Sequence, residues 1–330
     1  MSAVQPDSRR SPAVLTVAGL TAGPGERVTG LVQLDLGSAV VDLPLVLVNG
    51  ATAGRRVGIT AGIHGAEYVS IAALREVALS VDPKDIQGAI VAVLTANPPA
   101  FAARSIYLNP LDRKNLNRVF PGDPTGSASD RLAAWLDANV IAGSGLFIDM
   151  HCGDMNEALV PFTGIELTGD PAVDALSRAV ADAYGLDYLV IGPLPGSTTT
   201  AAATRGIAAV LGEVGGRGQH PESDVGDHAA GLRRALAAAG LIDAPAGGPA
   251  ARQSTLLTQE AWLRSDVSGY WQPRVEVGEA VVAGQPLGEV SDAFGTVLRS
   301  IEAPIAGVVL FLVTSLAMND GDPLLAIGAG

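Results

Sequence analysis

Between residues 56 and 239 the chain alternates short, continuously apolar runs with longer segments whose apolar residues recur at helical spacing. Residues 57–61, 89–96, 146–150, 188–191 and 208–212 read as strands. Residues 68–80, 129–142, 171–184 and 224–239 read as helices, the second with a serine cap at Ser127 or Ser129. A strand apolar on both faces is a buried strand. Its alternation with helices restricts the chain to an α/β architecture with a largely parallel or mixed sheet flanked by helices. Ligands of such sheets gather at the carboxyl ends of the strands, and His64 and His151 both stand there. With 330 residues and 48% hydrophobic content, the chain has enough apolar material for a substantial core and two domains.

Outside that stretch the texture differs. Residues 13–48 alternate as short strands do, with turns at Gly23-Pro24-Gly25 and Asn49-Gly50. A run of Ala, Gly and Pro from Asp243 to Ala251 reads as a linker. Beyond it, short apolar runs separated by glycines (Gly269, Gly278, Gly284, Gly288, Gly295, Gly307, Gly321) indicate a small all-β unit. The expected division is a catalytic domain over 1–243, a linker over 244–254 and a β unit over 255–330. The net charge of −13 argues against a nucleic-acid footprint and against attraction to anionic membranes. No apolar run reaches the length of a membrane span. Cys152 is the single cysteine, so no intramolecular disulfide forms and a reducing compartment is permitted. Arg9-Arg10 precedes a short apolar stretch, which reads as a ragged start leading into a strand rather than an export signal. Cytoplasm is therefore the default location.

Gly62-Ile63-His64-Gly65-Ala66-Glu67 carries the chemistry furthest. A helix beginning near His64 would put His64 and Glu67 on one face, and imidazole and carboxylate both ligate zinc. The flanking glycines allow a sharp turn that brings the side chains close to an ion. His151, at the end of a second strand, completes a His-Glu-His set with an open fourth position, the arrangement of a catalytic site. Asp149 lies on the same side of that strand, so two readings stay open: Asp149 orients His151 as a ligand, or His151 is an inert, hydrogen-bonded strand-end histidine. Cys152 points to the opposite face, so a Cys–His dyad is disfavoured and burial as a small apolar residue is expected. Glu213, at the end of the strand at 208–212, is placed to take a proton from water in the cleft. The loop from Asn97 to Gly122 holds Arg104, Arg113 and Arg118, which suit an anionic substrate because guanidinium binds carboxylate bidentately. His220 and His228 read as surface or structural residues.

Taken together, these segments resemble the succinylglutamate desuccinylase/aspartoacylase family of zinc hydrolases, which share a zinc-carboxypeptidase-like fold. The resemblance spans roughly residues 40–330. Ala61 to Glu67 is similar to the family's first metal motif and Asp149-Met150-His151 to its second, which implies one Zn2+ per chain on His64, Glu67 and His151. Arg104 and Asn115-Leu116-Asn117-Arg118-Val119-Phe120-Pro121-Gly122 resemble the substrate loop. That implies an oxyanion role for Arg104 and carboxylate binding by Asn117 and Arg118. Gly212-Glu213-Val214-Gly215 resembles the segment bearing the catalytic glutamate, and Arg205 resembles a further substrate arginine at a shorter spacing. Bacterial N-acetyl-diaminobutyrate deacetylases are the most similar branch. The chain departs from that branch's expected pattern at Asp112-Arg113-Lys114 and Cys152-Gly153-Asp154. The β unit resembles a biotinyl/lipoyl-like barrel. No lysine follows Lys114, so it cannot carry a prosthetic group through one.

The resemblance implies a deacylase that hydrolyses the amide of a small N-acyl amino acid or related amine. Glu213 serves as general base and then acid, and zinc activates the water. The rival readings are a metallocarboxypeptidase acting on peptides and a non-catalytic binding protein with a degenerate site. Every residue the chemistry needs is present, which counts against the second. Whether the chain forms a homo-oligomer is left open.

Overall fold

The computed structural model describes residues 13–244 and 253–330. Arg9-Arg10 and most of the linker expected at 244–254 lie outside the described residues. Nine of the described strands form one large sheet. Their order is Thr255–Leu257, Tyr188–Ile191, Phe162–Ile165, Ala208–Glu213, Leu146–His151, Thr52–Ala61, Gln87–Val93, Val40–Asn49 and Glu26–Asp35. Four strands at the centre, from Ala208–Glu213 to Gln87–Val93, run parallel. Phe162–Ile165 joins antiparallel to Ala208–Glu213, and the two N-terminal strands add an antiparallel flank. The sheet is mixed, as the alternation of elements requires.

The central strands carry apolar residues on both faces because both faces are covered. Every residue of Leu146–His151 is buried. Helices Tyr68–Ser80, Pro171–Tyr184 and Glu222–Ala238 close one face over Val57, Ile59, Ile148 and Val210. Ala128–Leu136 and Thr198–Thr204 close the other over Val91, Val93 and Phe147. Each fully buried Leu, Ile or Phe here contributes roughly 1.5–3 kcal/mol relative to exposure. The helix expected over 129–142 is α-helical only to Leu136 and finishes as a π turn, Asp137–Ile141. That turn packs directly on the sheet at Gly58, where a Cβ would lie 2.4 Å from the Val140 carbonyl oxygen.

The chain beyond 258 is all β, as its glycine punctuation indicates. Gln259–Arg264, Pro323–Ala329, Gly307–Val313 and Ala280–Val281 lie in one small sheet. Val297–Glu302, Pro286–Ser291, Gly269–Pro273 and Ala317–Met318 form another. The two share one core built on Trp271, Leu287, Val290, Leu310, Leu325 and Ile327. Two strands tie this unit to the large sheet. Thr255–Leu257 pairs parallel with Tyr188–Ile191 at the large sheet's edge. Glu157–Leu159, which follows Leu146–His151, pairs antiparallel with Gly307–Val313.

Candidate active site

Three adjacent parallel strands deliver the site. Thr52–Ala61 leads into His64, Leu146–His151 ends on His151 and Ala208–Glu213 ends on Glu213. Register places Glu213 directly opposite His151 and Ala61 opposite Met150. His64 and Glu67 are brought together by a turn rather than by a helix face, because the helix begins only at Tyr68. The Glu67 N–H donates to the His64 carbonyl at 3.4 Å. Gly62 enters this turn at φ +70°, and Gly65 lets Pro98–Ala103 press against it, since a Cβ there would lie 2.1 Å from the Ala100 carbonyl carbon.

Glu67 occupies the N-cap of that helix without capping it. Its carboxylate is directed to two imidazoles: Oε1 lies 2.6 Å from His64 Nδ1 and Oε2 lies 2.9 Å from His151 Nδ1. The outer nitrogens are also held. His64 Nε2 meets Asn115 Oδ1 at 3.0 Å, and His151 Nε2 meets Asp149 Oδ2 at 2.8 Å. Asp149 is itself fixed by the hydroxyls of Thr60, at 2.6 Å, and Thr198. The side shared by Asp149 and His151 in strand alternation is thus used for a direct contact. One ligand atom from each of His64, Glu67 and His151 lies within 4.8 Å of the others, so the three could hold a metal ion.

The donor chemistry fits a divalent cation. Asn115 and Asp149 each supply an acceptor for an Nε2 proton, which leaves both Nδ1 lone pairs available on the Glu67 side. Burial opposes charge on all three residues, yet the contacts outweigh it. Burial lowers the proton affinity of His151, but Asp149 and Glu67 raise it well above the ordinary histidine range. His64 is raised in the same way, chiefly by Glu67. Burial pushes Glu67 up, while His151 and His64 hold its carboxyl well below the usual range. The pocket is thus arranged for positive charge. Burial drives the Glu213 carboxyl well above its ordinary value, and its buried Oε2 has no hydrogen-bond partner in the protein.

The remaining predicted residues are placed differently. Arg104 caps the helix Pro98–Ala103 in the left-handed region, exposed and without an ion pair among the described residues. Asn117 is buried, and its side-chain oxygen accepts the Thr198 N–H at 3.0 Å, fastening the loop to the helix Thr198–Thr204. Arg118 donates to the Asn117 carbonyl at 2.6 Å and is otherwise exposed. Arg205 is not brought to the metal group. It precedes the amino end of Ala208–Glu213, whereas Glu213 ends that strand, and its guanidinium makes a forked ion pair with Asp137. The shorter spacing to Glu213 is accounted for by this placement at the far end of the strand. Cys152 is buried, and burial, with Glu67 nearby, pushes its thiol well above the ordinary value.

Four residues hold the site from beside or behind it, of which Tyr107 and Glu157 were not singled out in the sequence. Asn115 binds His64. The Tyr107 ring stands nearly perpendicular to that of His64, with centroids 6.4 Å apart at 87°, and its hydroxyl donates to Glu157. Burial raises Glu157 to about 7, against the pull of that hydroxyl. His228, read from the sequence as surface or structural, is fully buried behind the site. Its Nε2 donates to the His151 carbonyl at 3.0 Å, and its Nδ1 accepts the Tyr184 hydroxyl at 2.9 Å. Helical periodicity carried a signal for it, because His228 shares a face with Leu232 and Ala235. The loop around Tyr107 carried none. Of the five non-glycine residues at positive φ among the described residues, Arg104, Tyr107 and Arg113 all belong to it, at about 1–2 kcal/mol each.

A mixed sheet whose strand ends converge two imidazoles and a carboxylate, with an unsatisfied acid alongside, defines a hydrolase-type site of the α/β class. The chain belongs to the succinylglutamate desuccinylase/aspartoacylase family, whose catalytic-domain profile matches residues 53–239. It is 27% identical over 276 residues to the N-alpha-acetyl-L-2,4-diaminobutyric acid deacetylase of Halomonas elongata, covering 82% of this chain and 80% of that one. The product-bound structure of the ectoine utilization protein EutE from Ruegeria pomeroyi superposes with a TM-score of 0.83 at 27% identity, over 98% of this chain and 100% of that one. A succinylglutamate desuccinylase/aspartoacylase structure from Rhodobacter sphaeroides gives 0.80 at 27% identity, over 99% and 98%. No helix among the described residues is long and apolar enough to cross a membrane.

Proposed function

We propose that this protein is a zinc-dependent deacylase that hydrolyses the amide of a small N-acyl amino acid or related N-acyl amine. The observation that carries the reading is the convergence of His64, Glu67 and His151, with Glu213 opposite His151 and holding an oxygen that no protein group satisfies. His64 and His151 would bind zinc through Nδ1, and Glu67 through its carboxylate. Bound there, zinc supplies Lewis acidity and brings the pKa of water toward neutrality.

The other steps belong to the side chains. Glu213 Oε2 takes a proton from the attacking water and hands it to the leaving amine, a task suited to a carboxyl whose proton affinity burial has raised. Arg104, with no ion pair among the described residues, is free to stabilise the carbonyl oxygen as it gains charge. Arg118 receives a substrate carboxylate, and Asn117 fixes the loop that presents it. We further propose the division into a catalytic domain over 1–243 and a β unit from 255, biotinyl/lipoyl-like in arrangement, with Thr255–Leu257 lent to the large sheet.

The test is elemental analysis of the purified protein, followed by turnover of N-acetyl-2,4-diaminobutyrate, N-succinylglutamate and a dipeptide. One zinc per chain with turnover of an N-acyl amino acid is expected. A protein without stoichiometric metal, or one that cleaves only the dipeptide, would overturn the reading.

A further inference from the structure

Apart from the metal group, Glu157 is the residue that ties the most pieces of the cleft together. Its buried carboxylate accepts the Tyr107 hydroxyl on Oε1 and the Asp154 N–H on Oε2, the latter at 2.8 Å. Its backbone carbonyl accepts the Arg217 N–H at 2.8 Å, from the loop that follows Glu213. Its strand, Glu157–Leu159, is paired with Gly307–Val313 of the C-terminal unit, with Val313 opposite Glu157. Flanking bonds extend the seam, from Val160 N–H to the Leu310 carbonyl at 3.0 Å and from Thr314 N–H to the Asn156 carbonyl at 2.7 Å.

Tyr107 is the residue held by this anchor. It sits at φ +57°, a region a tyrosine does not favour, and its N–H donates to Asp154 Oδ2 at 2.9 Å. Such conformations persist where the surroundings fix them, and they gather at functional sites. The two nitrogens of His64 are engaged at their edges by Glu67 and Asn115. Its ring is flanked by Tyr107 and by His151, whose centroid is 5.3 Å away. The tilt of the imidazole is therefore left to its ring neighbours.

We propose that Glu157 and Tyr107 form a positioning pair for His64. Glu157, anchored in the C-terminal sheet, pins the Tyr107 ring beside the imidazole and so sets the tilt of the ring that presents Nδ1 to the metal position. The C-terminal unit acts on the site through this backbone pairing. The proposal rests on the reading of His64, Glu67 and His151 as metal ligands.

Zinc affinity, measured by competition with a chromophoric chelator, tests it on the full chain. Tyr107→Phe keeps the ring and cuts the tether, and Glu157→Leu cuts it from the other side. Each is expected to weaken zinc binding about ten-fold. The double variant should be no weaker than the worse single, because both changes break one connection. Wild-type affinity in the folded variants overturns the proposal, and so does an additive double effect. If Glu157→Leu does not fold, Tyr107→Phe alone decides. A wild-type protein that binds no zinc would overturn the metal reading and this proposal with it. Unchanged binding in the variants overturns the proposal alone.

Discussion

His64, Glu67, His151 and Glu213 stand at or just beyond the ends of three adjacent parallel strands. Arg104, Tyr107, Arg113 and Arg118 stand instead in one irregular loop that crosses the same cleft. In the first group, sheet register positions His151 and Glu213 and allows them no alternative short of slipping a whole strand, and the tight turn after Thr52–Ala61 positions His64 and Glu67. The second is positioned by local hydrogen bonds, three left-handed residues and a seam with the C-terminal unit. The contrast separates two demands on one cleft. The proposed metal group and general base sit on the scaffold, while the proposed substrate contacts, Arg104 among them, sit on a loop.

Substitutions in the two groups should therefore fail differently. The largest effect is expected from His151→Ala, which removes a ligand from the strand end. Metal content by elemental analysis should fall from one per chain to near zero, with activity lost. Metal retained at full stoichiometry would break the assignment. Glu213→Gln should keep the metal and lower kcat by about 10²–10⁴-fold. Full activity in that variant would remove Glu213 from the mechanism. In the loop, Arg118→Ala should raise KM for a carboxylate-bearing substrate roughly ten- to a hundred-fold, in line with a charged hydrogen bond of about 1.5–3 kcal/mol, and leave kcat nearly unchanged. Arg205→Ala is the control, with both constants expected at wild-type values because its guanidinium is committed to Asp137.

The smallest effect tests the scaffold from behind. Burial holds His228 down to about 3, so the folded protein keeps this ring neutral while the unfolded chain takes up a proton below 6.5. Its cost is absent above 6.5. Stability is then lost as pH falls toward 3, by about 1.4 kcal/mol per unit. His228→Gln, which can still donate to the His151 carbonyl, should flatten this acid limb in urea titrations at pH 7 and pH 5. An unchanged limb would mean that His228 is not the group responsible.

The same contrast explains what could be read from the chain alone. Helices Tyr68–Ser80 and Pro171–Tyr184 and the strand Tyr188–Ile191 fall where periodicity places them. His64, Glu67 and His151 could be picked out because ligating residue types stood at the ends of buried strands. Alternation put Asp149 and His151 on one side of the strand and left their contact open, and the structure supplies it. Arg205 precedes the strand expected at 208–212, whose far end bears Glu213, so pattern set the two at opposite ends and only the resemblance drew Arg205 toward the substrate. Tyr107 and Glu157 are 50 residues apart, and their contact depends on a strand pairing with the C-terminal unit that leaves no local mark. The helix Thr198–Thr204, rich in threonine and alanine, escaped because it lacks an apolar stripe. It forms under a Ser197 cap and the grip of Asn117.

The parallel pairing of Thr255–Leu257 with Tyr188–Ile191 has a consequence for dissecting the molecule. A fragment cut at residue 243 would leave Tyr188–Ile191 as a bare border, its outward N–H and C=O groups ready to recruit another chain. Aggregation of such a fragment would then report a missing neighbour rather than an unstable catalytic core. A cut placed after residue 258 would keep that border closed.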